Sequence, residues 1–567
     1  MHILGISCHY HDAAACIVRD GEVIAAAEEE RFTRKKHDHS FPENAIKFCL
    51  EHAGIKGSQL DHVGFYEKPV LKFYRMLETH IDTYPRSIEQ FTSAVPTWLT
   101  EKLRLPSLLK SKLGYKGEII YIKHHLSHAA SAFLPSPFEE AAIITWDAVG
   151  EWTTTAYGTG KGNKLKMEKE LQFPTSIGML YSTITAFLGF RVNSDEYKVM
   201  GLASYGKPVH YDKLKKLAVQ TDDSSIKLDM SYFAYEYSFR MYSKKFEAEF
   251  GKPRKPESEI TQYHMDMAAS LQKLTEELML KIATYVRKKT GMENLCMAGG
   301  VALNVVANKL ILEKSGFRKL FVQPAASDAG GALGVAMYIY NSALNNPRTY
   351  IMKNAYLGPE YTKEEIRDYL VKNRIKHREC GSEEELLNET ARLIHENNII
   401  GWFQGRMEYG PRALGNRSIL ANATNAEMKD ILNNKVKHRE DFRPFAPVTT
   451  EEEAKNYFEI RQPDPFMVLL VDVKKSKKEA IPAVTHVDGT ARLQTISEKE
   501  NPRYYKLIKT FKKLSGVPVI INTSFNIRGE PIVCTPYDAF RCFAGTGIDY
   551  LVMDRFIISK KDIQKPE

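Results

Sequence analysis

The sequence predicts an α/β protein of at least two domains, and three observations carry that reading. A chain of 567 residues is too long for one compact core. An apolar strand, a polar turn and a returning strand open the chain, and the same theme comes back near residue 141. Elsewhere, short apolar runs alternate with segments whose apolar residues recur at three and four, the period of a helix.

Residues 1–30 read as three strands: Ile3 to Ile6, Ala13 to Val18 and Val23 to Ala27. A polar turn from Ser7 to Asp12 joins the first two. Arg19-Asp20-Gly21-Glu22 joins the next two and carries the Asp-Gly signal of a tight hairpin. A simple β-meander begins in this way, and so do actin-like and sugar-kinase-like ATPase domains, whose first turn faces nucleotide phosphates. A helix follows from Pro42 to about Ala53, stopped by Gly54. Residues 65–115 are aromatic and Lys-rich with poor periodicity. They read as irregular insertion helices without an assigned role. Ala141 to Asp147 is a buried strand ending on a carboxylate, and Glu151 to Tyr157 pairs back from it. This second copy of the opening theme is expected of the actin-like architecture.

Residues 220–262 are polar and irregular. The clearest helix runs from Tyr263 to Lys289, with Met267, Leu271, Leu274, Leu278 and Ile282 on one face and Gly291 as its stop. Leu295 to Ala298 is a strand that enters a helix through Gly299, Gly300 and Asn304. Free N–H groups at such a helix start suit phosphate or ribose, and helix–strand packing explains the two glycines equally well. The strand Leu320 to Val322 leads to Ser327-Asp328-Ala329-Gly330, a second carboxylate just past a strand end. Asn345-Asn346-Pro347 and Leu357-Gly358-Pro359 then bracket a change of character. The expected organisation is one domain over 1–345, a linker over 346–362 and an α/β domain over 363–567. In the last of these Arg406, Arg412, Arg417, Lys437, Arg443, Arg492 and Arg528 stand among Gly, Pro and Asn at element ends, where an anion site is favoured over plain solvated surface.

Bulk properties narrow the class. Apolar content of 43% and charged content of 26% are those of a soluble globular protein. The net charge of +9, from 79 basic and 70 acidic residues, is spread along the chain and is a weak argument for nucleic acid. No window of about 18 apolar residues exists, so no membrane span is expected. His9, His11 and Asp12 interrupt the first apolar run, which is not read as a signal peptide. Seven cysteines with no C-x-x-C pair fit a reducing cytoplasm better than a disulfide framework or a zinc ribbon.

One stretch points to chemistry. In Lys123-His124-His125-Leu126-Ser127-His128, a helix would place His124 and His128 about 6 Å apart along one face. The pair alone divides evenly between a metal site and ordinary polar histidines, and His125 stands where a metalloprotease helix carries Glu. Asp147 and Asp328, each past an apolar strand, would complete a set of two nitrogens and two oxygens. That set suits iron(II), manganese or zinc.

The chain resembles, end to end, the NodU/CmcH family of O-carbamoyltransferases. The resemblance is carried by His11-Asp12-Ala13-Ala14, Glu28-Glu29-Glu30-Arg31-Phe32, His124-His125-Leu126-Ser127-His128-Ala129 and Trp146-Asp147. Ala298-Gly299-Gly300-Val301-Ala302-Leu303-Asn304 and Ser327-Asp328-Ala329-Gly330 continue it. In the second half it is carried by Glu408-Tyr409-Gly410-Pro411-Arg412-Ala413-Leu414-Gly415-Asn416-Arg417-Ser418, Arg443-Pro444-Phe445-Ala446-Pro447, His486-Val487-Asp488-Gly489-Thr490-Ala491-Arg492 and Asn522-Thr523-Ser524-Phe525-Asn526.

That resemblance implies an actin-like (ASKHA) N-terminal domain similar to the tRNA threonylcarbamoyltransferase subunit and a YrdC-like C-terminal domain. It implies that the C-terminal domain makes carbamoyl adenylate from carbamoyl phosphate and ATP, with Mg2+. The N-terminal domain would then pass the carbamoyl group to a hydroxyl of a small molecule. Family acceptors include nodulation factors, cephalosporins, aminoglycosides and ansamycins. By the same likeness His124, His128, Asp147 and Asp328 hold a divalent transition ion, iron(II) by preference. Arg412, Lys437, Arg443, Arg492, Asn522, Ser524 and Arg528 would bind carbamoyl phosphate and ATP. His11 is the candidate base, with phosphate or Asp12 contacts as its other reading; Asp12 and the Gly299, Gly300 and Asn304 turn would position phosphate. A homodimer is the open partner expectation, and neither nucleic acid nor membrane is expected as a partner. A threonylcarbamoyl-type tRNA-modifying enzyme and a non-catalytic nucleotide-binding assembly protein are the competing readings. The first needs a concentrated basic face, and the second has no use for the C-terminal cations.

Overall fold

The computed structural model describes residues 1–221, 225–440 and 442–563. The chain divides into two compact units. The first holds Met1–Glu29 and His37–Met352, and the second holds Glu30–Lys36 and the chain from Lys353 onward. No helix among the described residues is long and apolar enough to cross a membrane. All seven cysteines are free and buried.

The first unit is built from one topology used twice. Strands β1 (His2–Ser7), β2 (Ala14–Arg19) and β3 (Glu22–Glu28) form an antiparallel meander. At its hairpin Asp20 and Gly21 both have positive φ, 50° and 89°, as a two-residue turn between twisted strands requires. Helix α1 (Glu43–Ala53) leads to β4 (His62–Phe65), which pairs parallel to β1. Helices α2 (Pro69–Thr83), α3 (Ile88–Thr100) and α4 (Leu105–Leu113) lead to β5 (Ile119–Tyr121), parallel to β4. Helix α5 (His124–Phe133) closes this half.

The second half repeats the plan. β6 (Glu140–Trp146), β7 (Thr153–Lys161) and β8 (Lys164–Gln172) form the meander. Helices α6 (Ile177–Phe187) and α7 (Gln262–Thr290) lead to β9 (Asn294–Ala298), parallel to β6. Helix α8 (Val305–Lys314) leads to β10 (Lys319–Val322), parallel to β9, and α9 (Asp328–Met337) closes the half. The sheet orders β3-β2-β1-β4-β5 and β10-β9-β6-β7-β8 are the same diagram drawn twice. This duplicated sheet is the actin-like ATPase fold that the repeated strand–turn–strand theme predicts.

Helices α5 and α9 hold equivalent places in the two halves and pack on each other. Small residues allow the contact. A Cβ at Gly334 of α9 would stand 1.9 Å from the Ser127 carbonyl oxygen of α5, so only glycine lets the helices approach this far. On the other side of α9, a Cβ at Gly5 of β1 would meet the Ala332 carbonyl oxygen at 2.0 Å. The helix is therefore held between sheet and helix, with its first residue, Asp328, at a fixed position.

The stretch 65–115 proves more regular than its pattern suggests. α2 turns Lys72 inward while Val70, Tyr74, Leu77 and Ile81, spaced at four, three and four, face outward, which keeps the helical period and inverts the usual amphipathic order. Residues 220–262 are mostly turns, with one helix, Lys244–Phe250; residues 222–224 lie outside the described residues.

The second unit is an eight-stranded mixed sheet. In chain order its strands are β11 (Arg378–Glu379), β12 (Ile400–Phe403), β13 (Arg417–Asn422), β14 (Ala446–Thr450), β15 (Gln494–Ile496), β16 (Ile520–Ser524), β17 (Tyr550–Met553) and β18 (Phe556–Ser559). Their spatial order is β11-β18-β17-β12-β13-β16-β14-β15. Apolar clusters that include Phe403, Ile419, Ile521 and Phe525, and Trp402, Leu420, Tyr504 and Ile520, make its core.

Residues Glu30–Lys36 belong here, an excursion with no counterpart in the boundaries read from the sequence. Arg31 Nη2 donates to the Gly410 carbonyl at 2.7 Å. Arg34 donates to Pro531 O at 2.8 Å and to Ile532 O at 2.7 Å. Phe32 packs on Met407, Ala413, Ile532 and Cys534.

Candidate functional site

In the first unit, four predicted ligands converge. His124 is the first residue of α5 and His128 lies one turn on; both side chains are fully buried. Asp147 follows β6 directly, and Asp328 is the first residue of α9. His124 Nε2 stands 2.9 Å from Asp147 Oδ2, 3.0 Å from His128 Nε2 and 3.6 Å from Asp328 Oδ1. His128 Nε2 stands 3.5 Å from Asp147 Oδ2 and 3.8 Å from Asp328 Oδ1. One ligand atom from each of the four lies within 4.8 Å of the others. Metal–ligand bonds of about 2.1 Å set neighbouring ligand atoms about 3.0–3.4 Å apart, so these donors have the spacing of one coordination sphere.

The electrostatics of the cluster agree with its geometry. Burial alone would depress the His124 imidazole, but Asp328, Asp147 and Glu67 around it raise its pKa to about 10. A site that holds a proton this firmly is short of positive charge. Asp328 is raised, first by burial and then by the Asp147 carboxylate beside it. His125 turns away, its Nδ1 2.7 Å from Thr145 Oγ1, and burial pushes its pKa well down. Residues that the sequence reading passed over surround the ligands. Glu151 accepts the His124 backbone N–H at 3.0 Å and so satisfies the start of α5. Tyr66 donates to Asp328 Oδ2 at 3.2 Å.

Beside this cluster the first turn forms a second group. His11 Nδ1 is 2.9 Å from Asp12 Oδ2, His37 Nδ1 is 2.8 Å from Asp12 Oδ1, and Ser327 Oγ donates to Asp12 Oδ2 at 2.7 Å. His11 Nε2 donates to the Asn193 carbonyl at 2.6 Å. Against the depressing effect of burial, Asp12 raises the His11 pKa to about 10. No motif announced His37, and Ser327 stood inside the Ser327-Asp328-Ala329-Gly330 motif without a role of its own.

The glycine turn borders the metal-ligand cluster, because a Cβ at Gly300 would stand 3.4 Å from Asp147 Oδ1. Gly299 has φ 94°, and a Cβ there would meet the Trp146 carbonyl oxygen at 2.0 Å. A 3-10 turn, Gly300–Leu303, separates the glycines from α8. The Asn304 side chain is engaged in the fold. It caps α8 by accepting from Ala307 N and exchanges hydrogen bonds of 3.0 and 3.1 Å with Gln272.

In the second unit the predicted cations gather. Lys437 is 3% exposed and donates to the Ser524 and Asn526 carbonyls and to Asn526 Oδ1. Burial lowers its pKa well below the usual value, and Arg439, Arg443 and Lys36 add to the shift. Arg492 is lowered by burial and then by Arg412 and Arg443, against the opposing pull of Asp464. Ser524 Oγ donates to Asn526 Oδ1 at 2.7 Å. Asn522 donates to Gln494 Oε1 at 2.6 Å, while its own Oδ1 is buried without a protein partner. Arg528 and Arg443 both face Glu440, at 3.6 and 3.7 Å. This cluster brings several cationic side chains together, with Glu440 and Asp464 as the carboxylates facing them.

The first unit thus joins a duplicated, actin-like sheet to a buried His/Asp cluster, and the second is an α/β unit that gathers cations. The chain belongs to the carbamoyltransferase family. Residues 2–337 match the family model described as carbamoyltransferase N-terminus, and residues 391–560 match that of the carbamoyltransferase C-terminus. The uncharacterized protein sll1178 of Synechocystis sp. is 46% identical across 99% of this chain and 97% of its own length. Nodulation protein NolNO of Sinorhizobium fredii is 39% identical across 97% of this chain and 79% of its own. Among solved structures, (R)-2-hydroxyglutaryl-CoA dehydratase component A of Acidaminococcus fermentans is 14% identical over 61% of this chain and 100% of its own, with a TM-score of 0.31.

Proposed function

We propose that the protein is an ATP-dependent O-carbamoyltransferase that works in two stages. In the C-terminal unit, proposed to be YrdC-like, carbamoyl phosphate, ATP and one water give carbamoyl adenylate, phosphate and pyrophosphate. In the N-terminal unit an acceptor hydroxyl attacks the carbamoyl carbon, AMP leaves, and a small-molecule carbamate forms. The observation that carries this reading is the pairing of opposite appetites for charge. The cluster of His124, His128, Asp147 and Asp328 draws a cation, and that of Lys437, Arg443, Arg492 and Arg412 draws anions.

The chain's own groups then have defined tasks. Arg412, Arg443, Arg492 and Arg528 grip phosphate oxygens in pairs, and Lys437 neutralises charge at the reacting phosphate. Asn522 and Ser524 supply neutral hydrogen bonds beside them. His124 and His128 through Nε2, with Asp147 and Asp328, hold a divalent ion, proposed to be iron(II). Bound there, it supplies Lewis-acid polarisation of the carbamoyl oxygen. Gly299 and Gly300 border the nucleotide phosphates, and Asn304 keeps their turn in place. Asp12 fixes Nδ1 of His11, so Nε2 is the nitrogen left to act as base, and it must first give up the proton that it donates to the Asn193 carbonyl and that Asp12 helps it hold. The acceptor must displace the Asn193 carbonyl to reach it.

The test is incubation with ATP, carbamoyl phosphate and a panel of hydroxylated metabolites, read by mass spectrometry for the gain of one carbamoyl group. Lys437→Ala should abolish pyrophosphate release. Wild-type protein that releases neither AMP nor pyrophosphate with any acceptor, or without one, overturns the activation step.

A further inference from the structure

The residues that hold the ring of His124 are as buried as the ligands themselves. Its Nε2 faces the other three donors, so the nitrogen that decides the tautomer is Nδ1. That atom is buried, and its nearest charged neighbour is Glu67 Oε2 at 3.6 Å, just beyond hydrogen-bond length. The equivalent atom of His128 is also buried without a hydrogen bond, and no carboxylate pairs with it.

Glu67 is 4% exposed, and its Oε2 also takes the Lys72 ammonium at 2.6 Å; Lys72 is 2% exposed. The Lys72 ammonium lies 3.8 Å from the centroid of the Tyr10 ring. Both residues come from the β4–α2 junction, where Tyr66 also reaches Asp328. A buried ion pair of this kind adds little to stability over an apolar pair of the same volume. A buried carboxylate aimed at a ligand histidine has a specific use: it accepts the far N–H and leaves the near nitrogen's lone pair free.

We propose, resting on the metal reading above, that Glu67 is the positioning residue of the divalent-cation site. It holds the His124 Nδ1 proton, so that Nε2 presents a lone pair to the ion. Without Glu67 the proton is free to sit on Nε2, which then donates to Asp147 Oδ2, 2.9 Å away, and leaves the ligand set. Methionine, close to glutamate in volume, offers Nδ1 no acceptor and leaves the tautomer unset, whereas glutamine keeps a carbonyl oxygen that Lys72 would draw to the place of Oε2.

The experiment is a competition titration of the chelator-stripped full chain with Co2+ against a chromophoric chelator, reading affinity and the visible absorption of bound Co2+. Glu67→Met should weaken Co2+ binding by about 10–100-fold and change the visible band. Lys72→Met should bind Co2+ as wild type does or more tightly, because a cation leaves the neighbourhood while the acceptor stays. Should Glu67→Met fail to fold, the double variant Glu67→Met/Lys72→Met, which leaves the pocket neutral, carries the test and should show the same loss. Equal losses in Glu67→Met and Lys72→Met assign the pair a structural role and overturn the proposal. So does wild-type affinity in Glu67→Met. Wild-type chain that binds no Co2+ overturns the metal reading and this one together.

Discussion

The Nε2 atoms of His124 and His128 face each other at 3.0 Å inside a fully buried pocket. Neither can donate to the other without taking up a proton that a metal would displace. The contact follows from their i, i+4 spacing on one helix. α5 and α9 close equivalent halves, and the pocket lies where the start of α9 meets the first two turns of α5.

Removing one of these nitrogens tests how the two stages divide. His128→Ala should abolish tight Co2+ or Fe2+ binding and carbamoyl transfer to an acceptor. Acceptor-independent pyrophosphate release should keep its wild-type rate, since none of its proposed groups lies in the first unit. The check is a parallel measurement of bound metal, pyrophosphate and carbamoylated product in one preparation. Loss of pyrophosphate release by a folded variant would put the metal in the activation step instead.

The four side chains that converge, His124, His128, Asp147 and Asp328, were legible in the sequence because three of them stand at element boundaries and the fourth lies one turn on. His124 opens a helix, Asp147 and Asp328 follow apolar strands, and the spacing of His124 and His128 needs only a helix to work. The duplicated sheet was legible for a similar reason, since the strand–turn–strand theme is local. Glu67 and Lys72 were not legible. A single carboxylate and a single ammonium buried against each other look, in a sequence, like two solvated charges. The Glu30–Lys36 excursion was hidden because it continues from β3 with none of the Gly, Pro or Asn that marks a linker. Asn304 reads in the sequence as part of a phosphate-positioning turn, and its bonds to Ala307 N and to Gln272, 32 residues away, show that its side chain is engaged in the fold.

Gly334 links packing to function. Alanine there gains about 1 kcal/mol of helix propensity over glycine. Its Cβ would meet the Ser127 carbonyl at 1.9 Å, and overpacking against a backbone costs about 1–3 kcal/mol. The clash outweighs the propensity, so Gly334→Ala should lower the melting temperature of the first unit and weaken metal binding, because α9 carries Asp328. Calorimetry with and without Co2+ checks both. A variant more stable than wild type, with unchanged affinity, would mean that α5 and α9 move apart at no cost.

Asp464 gives the second unit a pH dependence of definite sign. The residue is 3% exposed, and its carboxylate accepts N–H groups of Phe466, Val468 and Leu469 at 3.1, 2.9 and 2.8 Å. Burial raises its pKa to about 7, even though those bonds and Arg492 favour the charged form. The unfolded chain releases this proton near pH 4, so between about 4 and 7 the folded unit holds more protons than the unfolded one. The contribution to stability is therefore complete below about pH 4 and is lost as pH rises through 7, at up to about 1.4 kcal/mol per pH unit. Asp464→Asn stays neutral throughout and lacks this term. Its melting temperature, read for the second unit by calorimetry from pH 5 to about pH 8, should gain steadily on that of wild type as pH rises. A constant gap across the series would mean that Asp464 is already ionised at pH 5, and that Arg492 and the three N–H groups outweigh its burial.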